Sequence, residues 1–120
     1  GYDEDYAKRV RAAMAKAGVP DHLFLAGHEH NLQALQGEGE GDAALHVVAG
    51  SGSDTRPLQS TGRERLFAEA TLGFARIDRV GEGTEASLDV TLFAVPPTPG
   101  RGASRRATFA IHQDGRVAPR

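Results

Sequence analysis

The sequence predicts an α+β fold, in the broad α/β class: one N-terminal helix followed mostly by β-strands and hairpins. Three observations carry this. Apolar residues recur at helical spacing between Asp3 and Ala17. Apolar and polar residues alternate at strand spacing between Leu88 and Ala94. Fifteen glycines in 120 residues favour turns and loops between short elements.

In the helix, Tyr6, Val10, Met14 and Ala17 fall on one stripe, with Lys8, Arg9, Arg11 and Lys16 off it. Asp3 caps it, Glu4 and Asp5 suit the positive end of its dipole, and Gly18 and Pro20 stop it. The stripe is expected to pack on a sheet and to deliver the chain to a strand ending at Ala26. The run from Asp21 to Ala26 has the pattern of a strand buried on both faces. Leu32 to Gln36 is the next strand. In the turn from Gly37 to Asp42, Glu38, Glu40 and Asp42 lack the spacing of a calcium loop. Ala44 to Ala49 is a second apolar strand, with His46 inside it as a packed or surface residue.

Gly50-Ser51-Gly52-Ser53-Asp54 follows. Its small residues suit either a phosphate cradle of backbone N–H groups or a plain connection, and the P-loop lysine is missing. Residues 55–71 carry the weakest pattern: Arg63 to Ala70 reads as one helical turn or a short edge strand. Arg56, Arg63 and Arg65 read as a solvated charged loop, with contact to an anionic substrate as the sharper alternative. Leu72 to Val80 and Leu88 to Ala94 form a hairpin around a turn at residues 81–85. Pro96 to Gly100 makes a stiff loop, and Arg101, Arg105 and Arg106 a basic surface cluster. Ala107, Phe109 and Ile111 alternate in a final strand closed by Asp114-Gly115, with His112 at the surface. No repeat or boundary divides the chain, so residues 1–120 read as one domain.

A net charge of −2 gives no field to draw nucleic acid, and no apolar run approaches a membrane-spanning length. The absence of cysteine removes disulfides and thiolate metal sites and leaves the redox compartment open.

The candidate site is Gly27-His28-Glu29-His30-Asn31, at the end of the first strand. Gly27 allows a sharp turn, and the carboxyl ends of parallel strands are where ligands gather. In extended chain His28 and His30 point the same way and Glu29 the other. Neutral imidazole is the commonest protein metal ligand. The bland alternative is a solvated polar pair.

Leu25-Ala26-Gly27-His28-Glu29-His30-Asn31-Leu32-Gln33 resembles the GHxH motif of the calcineurin-like metallophosphoesterases. It is most similar to the form found in the tartrate-resistant (purple) acid phosphatases. Val47-Val48-Ala49-Gly50-Ser51-Gly52 and Leu72-Gly73-Phe74-Ala75 resemble that family's next segments, in the same order. The likeness runs from about residue 20 to about residue 95. It implies a two-sheet sandwich and a dinuclear metal-dependent phosphatase acting on phosphomonoesters, with His28 on one metal and His30 on the other. The cofactors would be two divalent or trivalent ions, Fe, Zn or Mn. The free ring nitrogens should meet carboxylates or carbonyls. Glu29 receives no catalytic role, Asn31 is read as shaping the turn, and the substrate-binding residues are not assigned.

The family's other metal motifs are absent: an early Asp motif, a GDxxY motif, a GNHD motif and a further His. Gly41-Asp42-Ala43-Ala44-Leu45 lacks the tyrosine and sits downstream. The resemblance therefore implies the C-terminal third to half of a phosphatase domain, inactive without the N-terminal half that would partner it. It also suggests a secreted or periplasmic protein. Cutting such a sheet exposes strand edges through which the chain would oligomerise. The alternative reading is a non-catalytic, β-rich module that holds a metal or an anion through His28, His30 and residues 50–54; a third is a structural domain with both histidines solvated.

Overall fold

The computed structural model describes residues 4–18, 22–39, 41–59 and 61–120. The expected cap at Asp3, the stop at Pro20, and Asp21 and Glu40 lie outside them. Helix α1 spans Glu4–Ala17 and ends at Gly18, whose φ of 69° takes the left-handed conformation that stops a helix. Eight strands follow: β1 Leu23–Ala26, β2 Leu32–Gln36, β3 Leu45–Ala49, β4 Arg65–Glu69, β5 Gly73–Val80, β6 Ser87–Ala94, β7 Ser104–Ile111 and β8 Val117–Pro119.

They form two four-stranded sheets, ordered β1-β3-β2-β4 and β5-β6-β7-β8. The first is mixed, with β1 parallel to β3 and the other pairs antiparallel; the second is antiparallel throughout. This is the expected α+β, two-sheet arrangement. Period-two alternation makes the layers: Ala34, Leu45 and Val47 of the first sheet meet Val90, Leu92, Phe109 and Ile111 of the second. Burying each of the larger side chains contributes roughly 1.5–3 kcal/mol. No helix among the described residues is long and apolar enough to cross a membrane.

Two expectations need correction. The helix stripe does not pack into a sheet: Tyr6 is 63% exposed, Ala17 is exposed, and Val10 and Met14 are only half-buried. Helix α1 is peripheral, and Arg11 reaches Asp42 at 3.3 Å. The first strand is not buried on both faces either. It pairs with β3 alone, and Leu25 is 53% exposed. Apolarity in a run reports what a strand tolerates, not how many neighbours it has.

Elsewhere the structure chooses or extends. Arg65–Glu69 takes the edge-strand option. Strand β7 starts ahead of the expected Ala107 and takes in Arg105 and Arg106, and β8 adds a strand beyond the Asp114-Gly115 turn. Arg106 Nη2 donates to Glu69 Oε1 at 2.6 Å, joining β7 to β4 across the two sheets. Both side chains are partly solvated, so Arg106→Ala is expected to cost no more than about 1 kcal/mol in a urea titration.

Candidate metal centre

Topology builds the site. β3 lies between β1 and β2, and β1 and β3 are parallel, so the chain leaving β1 must cross the carboxyl end of β3 to enter β2. Residues 27–31 make that crossing as an arch. Glu29 N–H donates to Gly27 O and Asn31 N–H to Glu29 O, each at 2.9 Å. Bonds between residues two apart are γ-turns, and the two histidines sit at their apices. His28 has φ 73°, the rarer and strained form of that turn.

Beneath the arch runs Gly50, the residue after β3. A Cβ there would lie 2.4 Å from Glu29 O and 2.9 Å from His28 N. Only a glycine lets the two backbones meet this closely. Beyond it the chain turns back along His30: Arg56 N–H donates to His30 O at 2.8 Å, and the Asp54 carboxylate lies against His30 Nδ1. Loop 50–54, read from sequence as a cradle or a plain connection, thus lies beside the histidine pair.

The five residues of the arch have different surroundings. His28 is exposed and makes no side-chain hydrogen bond among the described residues; His30 is half-buried. Glu29 lines a groove of about 360 Å³ on the outer face of the first sheet, with Phe24, Gln33, His46, Arg63 and Arg65. Asn31 is buried, and its role is larger than shaping a turn. Arg65 Nε donates to Gln33 Oε1 at 3.2 Å, and Gln33 Nε2 donates to Asn31 Oδ1 at 2.8 Å. Arginine can only donate, so this ladder fixes both amides and leaves Asn31 Nδ2 as a buried donor. The carboxylate expected at a ring nitrogen is present at His30, as Asp54, and no equivalent lies at His28 among the described residues.

Arg56 is exposed, as a solvated loop residue would be, whereas Arg63 and Arg65 are half-buried and paired within the chain. Arg65 is committed to Gln33 and to Gln59 O. Arg63 is paired with Asp42, which also accepts from Glu38 N–H at 2.9 Å and from His46 Nε2 at 2.8 Å. Burial pushes the Asp42 carboxyl up, but Arg63, the Glu38 N–H and His46 outweigh it and hold it well below the usual carboxylate range. Asp42 is therefore a charge hub in the protein's framework, unrelated to a calcium loop. No sequence pattern announced it, because its partners Arg11 and Arg63 lie 31 and 21 residues away. Asp54 was visible only as the last residue of a small-residue loop.

Among the described residues, no group of three or more His, Asp or Glu side chains is placed to hold a metal ion. The arch offers two imidazoles, one backed by a carboxylate: a donor set that suits a borderline metal but supplies part of a coordination shell. The chain matches no protein-family model, no curated protein and no solved structure.

Proposed function

We propose that this chain is the C-terminal part of a dinuclear metal-dependent phosphatase that hydrolyses phosphomonoesters, and that its contribution is His28 and His30. The observation that carries the reading is the arch: two histidines at successive γ-turn apices, over the carboxyl ends of a parallel strand pair. The backbone at His28 adds support. A non-glycine residue at φ 73° costs roughly 1–2 kcal/mol, and strain of this kind is concentrated at functional sites.

The metals, when bound, supply a hydroxide nucleophile and charge for the leaving oxygen. The chain's own residues do the rest of its share. His28 and His30 offer nitrogens from a corner whose height is set by Gly50. Asp54 and the Arg56 N–H hold His30 by its ring and its backbone. The remaining ligands would come from sequence preceding Gly1.

The proposal predicts a separation of stability from binding. His28→Gly removes the ring and relieves the positive φ, so stability should hold or rise by up to about 1 kcal/mol. The weak zinc uptake that two imidazoles give the 120-residue chain, measured by calorimetry, should nevertheless be lost, and His30→Ala should lose it too. The gene product carrying the preceding sequence should release phosphate from an aryl phosphate when metal-loaded, and both variants should abolish that. Activity unchanged in both variants would refute the ligand assignment. Tight one-to-one zinc binding by the 120-residue chain itself would instead favour a self-contained binding module.

A further inference from the structure

We infer that Asp54 is a positioning residue that assigns the two ring nitrogens of His30: Nδ1 carries the proton toward Asp54, and Nε2 keeps its lone pair for a metal. The inference deepens the reading above and rests on it for the identity of the ligand.

The geometry is specific. The Asp54 carboxylate lies against His30 Nδ1, which is itself buried, while the His30 side chain keeps 23% of its surface open. Nδ1 is thus the enclosed nitrogen, and no hydrogen bond occupies Nε2 among the described residues. A carboxylate only accepts, so the nitrogen it faces must be the N–H one; a neutral imidazole then has its acceptor at the other. The two atoms lie at ion-pair distance without being aligned as a hydrogen bond, and the Asp54 side chain is exposed. Arg56, two residues on, binds the His30 carbonyl, so one short segment grips both ring and backbone.

The other histidines provide a contrast within the same molecule. At His22 and His46 the engaged nitrogen is Nε2, held by the Gln113 carbonyl and by Asp42. His30 is tied in the opposite sense, with its outer nitrogen left for a ligand. Metal-ligating histidines generally donate their second N–H to a carboxylate or carbonyl, which orients the ring and raises its basicity.

Ring 15N NMR of the 120-residue chain tests this at about pH 8.5, some two units above the reference imidazole value of about 6.5. Wild-type His30 should read as protonated at Nδ1. Asp54→Ala should redistribute it toward a mixture of tautomers. Asp54→Asn, whose Oδ1 still accepts, should restore the wild-type pattern. In calorimetry Asp54→Ala should weaken zinc binding by about 10–100-fold, with Asp54→Asn close to wild type. A wild-type His30 protonated at Nε2, or an Asp54→Ala spectrum identical to wild type, overturns the inference. A His30 tautomer that responds to Asp54→Ala, in a metal-loaded gene product whose phosphate release is untouched by His28→Gly and His30→Ala, overturns the metal reading and leaves the tautomer assignment standing.

Discussion

Replacing Asp42 with alanine should lower the free energy of unfolding by about 3–5 kcal/mol in a urea titration at neutral pH. The Asp42 side chain is 9% exposed, and it is the shared acceptor for Arg63, Arg11, His46 and the Glu38 N–H. Removing it takes its carboxylate partner from a guanidinium that is itself only 17% exposed, and it removes the Arg11 contact between α1 and the turn before β3. A loss of that size is a large part of the roughly 5–15 kcal/mol that holds a domain together. The same hub dictates a pH dependence. Its folded-state pKa is lowered from an ordinary value of 3.8, so below that value the unfolded chain binds the extra proton and stability rises with pH. The contribution is complete above about 3.8 and is lost as the pH falls through the folded value. Wild type should therefore weaken on acidification more steeply than Asp42→Ala. Equal acid slopes in the two would show that the carboxylate is not the coupling group.

Gly50→Ala is the second large effect, and it strikes the site rather than the framework. One methyl group would sit 2.4 Å from the Glu29 carbonyl oxygen and 3.1 Å from the Gly27 carbonyl carbon. Backbone cannot swing aside as a flexible side chain can, so the arch must lift. Overpacking of this kind costs typically about 1–3 kcal/mol. The displacement falls on the residues that carry both imidazoles, so zinc affinity should drop with stability. Thermal unfolding followed alongside a zinc titration checks both. Gly52→Ala is the control, because a Cβ there meets open space. If Gly50→Ala unfolds and binds zinc as wild type does, the arch is not held where we place it.

The strands were legible where each residue's face decides its fate. Leu88, Val90, Leu92 and Ala94 announce β6, and Leu32–Gln36 and the apolar run into Ala49 announce β2 and β3, because one face of each meets the opposite sheet. Burial of β1 was not legible, since its four apolar residues are compatible with any number of neighbours. Nor was the fate of the Tyr6–Met14 stripe, because an amphipathic pattern does not name the surface that will receive it. The histidine pair could be read, but not its geometry. The sequence suggests extended alternation, whereas crossing β3 in five residues requires successive γ-turns. Asp42 and Asp54 matter through partners brought close only by folding; the first was read as part of a turn, the second as the tail of a loop.

The central claim, that the twin-histidine arch is one wall of a metal pocket, is tested most directly by adding zinc to the 120-residue chain and following the ring resonances of its five histidines. The account predicts that His28 and His30 shift together while His22, His46 and His112 stay in place. Zinc that moves His46, His22 or His112 and leaves the arch untouched would contradict it.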